Sequence, residues 1–195
     1  MPHYYSENQT SDLQLIEISI SFKGVFFKMF SGSGVFSKKK LDKGTEILLK
    51  YMILKDNSEV LDLGCGIGVV GVYAAKINQT IHLTLSDVNR RATILARKNL
   101  DLNNLKGRVK QSDGFQKIKE EFDTILLNPP QVAGKEVCFK LITESYHHLK
   151  KEGNLQIVAR HNKGGKSYSE HMLKIFGNMK EIGKSAGYRV YLSQK

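Results

Sequence analysis

The sequence predicts an α/β protein: a mostly parallel, seven-stranded sheet with helices on both faces, a C-terminal antiparallel hairpin and a small N-terminal β-hairpin. Three observations carry that expectation. From Glu59 onward, short apolar runs alternate with helix-period segments, the pattern of βαβ units. A glycine-rich stretch, Gly64-Cys65-Gly66-Ile67-Gly68, joins the first such run to the first such helix. Near the C-terminus two strand-like runs are separated only by Ser185-Ala186-Gly187, too short for a parallel crossover, so they must pair antiparallel.

The elements follow in order. Leu15 to Phe22 alternates as a half-buried strand, Gly24 breaks it, and Val25 to Phe30 reads as its hairpin partner. Gly44-Thr45 opens a helix through about Lys55, with Ile47, Leu48, Tyr51, Met52 and Leu54 as its buried stripe. Val60–Leu63, Ile81–Leu85, Arg108–Gln111, Phe122–Leu127 and Asn154–Ala159 are the five parallel strands. Between them run helices over Val69–Ile77, Arg90–Asn103 and Gly134–Lys150, and the last strand starts after the turn Glu152-Gly153. A short helix near Ser167–Phe176 then leads into the strands Met179–Lys184 and Tyr188–Ser193. One domain spans residues 1–195, with a tail and hairpin extension over 1–34 and a core over 35–195.

A chain of 195 residues buries roughly 70% of its unfolded surface and needs no disulfide staples. Cys65 and Cys138 are far apart and lack ligand spacing, so two reduced thiols, no metal and a cytoplasmic location are expected. No signal-peptide pattern starts the chain, and no apolar run reaches the roughly 20 residues of a membrane span. The net charge is +11. A basic surface concentrates polyanions, which makes nucleic acid a natural partner, although charge also serves plain solubility.

The glycine loop follows a buried strand, at the edge of the sheet where open α/β folds bind ligands. Gly64, Gly66 and Gly68 permit positive φ and close approach of backbone to a ligand. The spacing Gly66-x-Gly68-x-x-Gly71 also meets the dinucleotide fingerprint, so an NAD-type oxidoreductase stays open. Asp62 at the strand tip weighs against a pyrophosphate, since like charges repel. It suits the ammonium group of S-adenosylmethionine, directly or through water. Asp87 ends the next strand beside Val88, where a carboxylate reaches ribose hydroxyls; its loss should weaken cofactor binding about ten- to hundredfold. Asp113, followed by Gly114, ends the third strand, placed to accept from an adenine amino group with Phe115 nearby.

Phe122–Leu127 runs into Asn128-Pro129-Pro130. Each proline holds the preceding residue extended, which makes a rigid elbow at a strand tip. The Asn128 carboxamide and the Pro129 carbonyl then form a fixed pair of acceptors. Such a pair suits methylation of an amine conjugated with a ring, whose lone pair is delocalised and must be oriented toward the methyl donor.

These residues together resemble the small methyltransferase domain family, which includes rRNA guanine-N2 methyltransferases of the small ribosomal subunit. The resemblance runs from about Gly34 to Arg160. It rests on Val35-Phe36-Ser37 with Leu41-Asp42-Lys43-Gly44-Thr45, on Leu61 to Gly68, on Asp87, and on Asn128-Pro129-Pro130 followed by Gly134-Lys135. It implies a Rossmann-like class I methyltransferase fold with S-adenosyl-L-methionine as cofactor. It also implies that Phe36, Gly44 and Thr45 border the cofactor's methionine end and that Asn128 holds the target amine. The implied target is guanine N2 of rRNA, ahead of tRNA guanine N2 or adenine N6. The sequence departs from the wider amino-methyltransferase pattern at Gln131, where an aromatic residue usually stacks on a flipped base. Phe30, Phe36, His161 and Tyr168 are the candidates to replace it. Lys38, Lys39, Arg160, Lys163 and Gln131 are the candidate RNA contacts, and Gly164-Gly165 suggests a mobile loop among them. A protein glutamine methyltransferase and a non-catalytic RNA-binding subunit are the remaining alternatives, and a monomer is favoured.

Overall fold

The computed structural model describes residues 15–32, 41–129 and 134–195. Strands β1 (Leu15–Phe22) and β2 (Val25–Gly32) form the antiparallel hairpin. Its turn residues Lys23 and Gly24 both have positive φ, the turn geometry that matches strand twist. Helix α1 spans Lys43–Tyr51. Then come β3 (Glu59–Leu63), α2 (Val69–Ile77), β4 (His82–Asp87), α3 (Arg90–Leu102), β5 (Arg108–Gln111), β6 (Phe122–Leu127) and α4 (Gly134–His147). Strand β7 (Leu149–Arg160) leads through a kinked turn, His161–Gly165, into α5 (Lys166–Phe176), β8 (Lys180–Ser185) and β9 (Tyr188–Gln194).

The large sheet has seven strands in the order β5-β4-β3-β6-β7-β9-β8. β3 through β7 are parallel, and β9 runs antiparallel to both β7 and β8. Strand alternation sorts the core into two layers. Val60, Leu126 and Val190 face a cluster with α1, α2, α3 and the β1–β2 hairpin, including Phe27, Met29, Leu48 and Val72. Leu61, Leu63, Ile125, Leu127 and Ile157 face the opposite cluster with Cys138 and Ile142 of α4 and Met172 of α5. Both cysteines are free and buried. Among the described residues no helix is long and apolar enough to cross a membrane, and no cluster of three metal-ligating side chains occurs.

Three boundaries differ from the sequence expectation, each for a non-local reason. Helix α1 stops at Tyr51, not near Lys55, because the fully buried Gln156 of β7 offers Ile53 a better arrangement. Gln156 accepts from Ile53 N at 2.9 Å and donates to Ile53 O at 2.6 Å, as a neighbouring strand would. Helix α4 stops at His147, since the His148 carbonyl is taken by Phe122 N at 2.9 Å. Strand β7 already begins at Leu149, and Glu152-Gly153 is an irregularity inside it rather than a turn before it. A Cβ on Gly153 would lie 2.9 Å from the carbonyl oxygens of both Lys150 and Phe122, so only glycine fits.

The hairpin is tied to the core by Asn99 of α3 and by Asn103, the C-cap of that helix. Asn99 accepts from Phe30 N (2.6 Å) and donates to Phe30 O (3.0 Å), and Asn103 pairs in the same way with Lys28 N (3.3 Å) and Lys28 O (2.7 Å). Two carboxamides thus stand in for a third strand along β2. Asn99 also donates to Ile67 O at 2.9 Å, which couples the hairpin to the glycine loop.

Candidate active site

The carboxyl ends of β3, β4 and β6 and the N-terminus of α1 lie on one side of the sheet, and Thr45, Asp62, the glycine loop, Asp87 and Asn128 gather there. In the loop after β3, Gly64, Gly66 and Gly68 have φ of 67°, 56° and 87°, values that disfavour any side chain with a Cβ. They differ in what else they require. A Cβ on Gly64 would meet nothing within 4 Å, so this position is open toward solvent. A Cβ on Gly68 would lie 2.9 Å from Leu85 Cδ2, so this glycine lets α2 lie close against β4 and α3. The loop is pinned by Cys65 N donating to Ser86 O and Gly68 N donating to Cys65 O, both at 2.9 Å.

The two buried acids hold this loop from below. Asp62 is 3% exposed and its Oδ2 accepts from Gly71 N at 2.9 Å. Gly68, at the start of α2, has no side chain to cap the helix, so Asp62 satisfies a free N–H of the first turn from the adjoining strand. Burial, with a smaller push from the Asp87 charge, raises the Asp62 carboxyl to about 7 against the opposing Gly71 hydrogen bond. Asp87 accepts from Gly66 N through Oδ2 and from Asn89 N through Oδ1, both at 2.8 Å. Burial raises its carboxyl too, offset in part by the N–H groups of Asn89, Gly66 and Val88. Each Asp87 oxygen keeps a further lone pair, which fits a pair of vicinal hydroxyls. Two carboxylates held close together under one loop favour a cationic ligand that bears a diol. Val88 is half-buried, and its carbonyl accepts from Gln111 Nε2 at 3.2 Å.

Asp113 differs from the other two. It is exposed and accepts from Gln116 Nε2 at 3.1 Å, while Ser112 Oγ donates to Gly114 O and accepts from Lys117 N. Phe115 turns away from the edge, 5% exposed and stacked at 4.4 Å on His148.

At the tip of β6, Asn128 is half-buried and Pro129 buried. Asn128 Nδ2 donates to Thr45 Oγ1 at 3.0 Å, and Thr45 Oγ1 donates in turn to Asp42 Oδ2. Asp42 is also the N-cap of α1, accepting from Thr45 N at 3.1 Å. Gly44 lies against this group, since a Cβ there would sit 3.1 Å from Asn128 Oδ1 and 3.2 Å from Asp42 Oδ1. The sequence motifs mark Gly44, Thr45 and Asn128 but give Asp42 no role of its own. The N-cap pattern, Asp42 three residues before Thr45, is the signal that could have found it.

Beside Asn128 and Pro129 a shallow recess is bounded by the end of β7, Lys163, Tyr168 and Tyr188. Arg160 is exposed, with its guanidinium 5.9 Å from the centre of the Tyr188 ring, a cation–π arrangement. Nothing local to Tyr188 in the sequence marks it as anything other than a strand residue. Tyr168 lines the recess and packs edge-on against Phe139. His161 is committed to Tyr191, Nδ1 to OH at 2.8 Å, and Phe30 belongs to the hairpin. The segment expected as a mobile loop is the turn His161–Gly165, in which Lys163 and Gly164 depart from helical geometry, and a Cβ on Gly165 would lie 2.9 Å from Arg160 O. Lys163 is exposed on that turn. Phe36, Lys38, Lys39, Pro130 and Gln131 lie outside the described residues.

The methyltransferase small domain family matches residues 27–192. An uncharacterized protein of Bacillus subtilis, YbxB, is 34% identical over 199 residues, covering 99% of this chain and 98% of its own length. Ribosomal RNA small subunit methyltransferase C of Haemophilus influenzae is 36% identical over 167 residues, which cover 84% of this chain but 50% of that protein. Among solved structures, the T. thermophilus 16S rRNA N2 G1207 methyltransferase in complex with AdoMet and guanosine superimposes with a TM-score of 0.83 at 23% identity. That match covers 96% of this chain and 52% of the other. The chain therefore spans about half the length of the ribosomal RNA methyltransferases it resembles.

Proposed function

The chain belongs to the methyltransferase small domain family, and from that membership we propose that it transfers a methyl group from S-adenosylmethionine to an exocyclic base amine of RNA, namely guanine N2 of small-subunit rRNA. The observation that carries this reading is Asn128. It stands on the rigid tip of β6, held by Thr45, on the same sheet edge as the glycine loop and its two buried acids. The two named rRNA methyltransferases above supply the choice of guanine and of ribosomal RNA.

S-adenosylmethionine, when bound, supplies an electrophilic methyl group and takes back the electron pair of the broken carbon–sulfur bond. Asp87 would hold the ribose diol and Asp62 would balance the positive charge, while Gly64 leaves the loop open on its outer side. Asn128 Oδ1 and the Pro129 carbonyl accept the two amine hydrogens and so turn the nitrogen lone pair toward the methyl group. They also stabilise the positive charge that grows on nitrogen as the new carbon–nitrogen bond forms. No strong base is needed, since the extra proton leaves to solvent after transfer. Arg160 and Lys163, on the rim of the recess, suit the phosphates of an RNA strand, as does the net charge of +11.

The test is methyl transfer by the purified chain, from tritiated S-adenosylmethionine to small-subunit rRNA taken from cells that lack the gene. Label recovered as N2-methylguanosine supports the reading. Label in N6-methyladenosine overturns the base assignment, and NAD binding without S-adenosylmethionine binding overturns the reaction class.

A further inference from the structure

We propose that Asp42, acting through Thr45, sets which end of the Asn128 carboxamide faces the acceptor amine. The inference deepens the amine-methylation reading and rests on it for its functional meaning, but its geometry stands on proton counting alone. A carboxylate only accepts hydrogen bonds, and both Asp42 oxygens are in use: Oδ1 takes Thr45 N–H at 3.1 Å and Oδ2 takes the Thr45 hydroxyl. The hydroxyl carries one proton, and it goes to Asp42. Toward Asn128, then, Thr45 Oγ1 presents lone pairs only and must receive a donor. That donor is Nδ2, at 3.0 Å. The planar carboxamide consequently turns Oδ1 away from Thr45, and Gly44 gives it room where any Cβ would approach to 3.1 Å.

The polarity matters because an amine nitrogen about to be methylated offers hydrogens. Oδ1 receives one of them and leaves the lone pair free. A flipped carboxamide would set its own N–H against that hydrogen, donor against donor. Asp42 is thus a positioning residue, acting at one remove from the reacting atoms.

Asp42→Asn separates this role from helix capping. Asparagine caps a helix N-terminus as well as aspartate does, so the fold should be spared. Thr45 N–H requires an oxygen at the Oδ1 position, which places the new NH₂ at the Oδ2 position, donating to Thr45 Oγ1. The Thr45 proton, no longer taken by residue 42, is free to turn to Asn128, and the Asn128 carboxamide flips to accept it. Thr45→Val breaks the chain without reversing it and leaves Asn128 unfixed.

Two readouts on the full-length chain test the proposal. In ¹⁵N-labelled protein, nuclear Overhauser contacts between the Asn128 side-chain NH₂ and the Thr45 methyl should be present in the wild type and weakened in Asp42→Asn. In transfer from S-adenosylmethionine to small-subunit rRNA, kcat should fall about a hundredfold in Asp42→Asn, the scale of a lost transition-state hydrogen bond, with KM for S-adenosylmethionine within about threefold. Thr45→Val should lose about tenfold, Thr45→Ser should recover most of that, and the double variant Asp42→Asn/Thr45→Val should match Thr45→Val alone. A purely structural role predicts the reverse order, with Asp42→Asn the milder change and the two losses additive. Absence of the contact in the wild type, its persistence in Asp42→Asn, or a kcat for Asp42→Asn within about threefold of wild type overturns the proposal. If the wild type methylates no rRNA, the functional reading fails, and the Overhauser comparison still decides the relay.

Discussion

Replacing Asp62 by asparagine should change how stability depends on pH more than it changes the structure. The asparagine side chain keeps an acceptor for Gly71 N–H, so the bond under α2 survives the substitution. What disappears is a carboxyl that burial and the Asp87 charge raise from the usual 3.8 to about 7. Between those values the folded protein holds a proton that the unfolded chain has released. The Asp62 contribution to the stability of the unliganded wild type therefore falls as pH rises through this window, and is lowest above about 7. At about 1.4 kcal/mol for each pH unit, the full window amounts to about 4 kcal/mol. Urea unfolding of both proteins from about pH 4 to about pH 8 measures it. Asp62→Asn should match the wild type near the acid end and exceed it increasingly toward the alkaline end, while binding S-adenosylmethionine more weakly. A difference that stays constant across the range, or a wild type that gains stability relative to Asp62→Asn as pH rises, would mean that the folded protein does not hold the Asp62 proton.

Other substitutions probe the scaffold and the site separately. Asn128→Ala removes the acceptor on the β6 tip and should lower kcat for methyl transfer about a hundredfold, with unfolding by urea little changed. Gly44→Ala puts a methyl group 3.1 Å from Asn128 Oδ1, so transfer should fall further than thermal stability does in parallel assays. Asn99→Leu leaves Phe30 N, Phe30 O and Ile67 O without their partner and should cost about 3 kcal/mol in urea unfolding, with cofactor affinity reduced through the glycine loop. Gly183→Ala drives a Cβ into the ring of Tyr51 and should cost about 1–3 kcal/mol by the same measurement, since the α1 ring lies flat on β8.

The sheet was legible because its signals are local. Short apolar strands, glycines that demand positive φ, and a two-strand ending with no room for a crossover each restrict the chain within a few residues. The alternation of Val60 and Leu61, or of Leu126 and Leu127, even sorts the two cores. The failures share the opposite property. Helix α1 ends early because Gln156, 103 residues on, binds Ile53. The kinked turn after β7 is held by Tyr191, 30 residues past His161, and no pattern within His161–Gly165 announces that bond. At the site, Asn128 and Asp87 stood out through motif and strand-end position. Asp42 and Tyr188 did not, since their significance comes from what the fold sets against them: Asn128 across 83 residues through Thr45, and Arg160 across a strand pair.

Methylation of guanine N2 in small-subunit rRNA by this chain, as proposed, has a direct consequence in cells. Mass spectrometric mapping of modified nucleosides in rRNA from cells without the gene, with the wild-type gene restored, and with Asn128→Ala restored, tests it most directly. One N2-methylguanosine in small-subunit rRNA should vanish on deletion, return with the wild type and stay absent with Asn128→Ala. An rRNA modification profile identical in all three strains would contradict it.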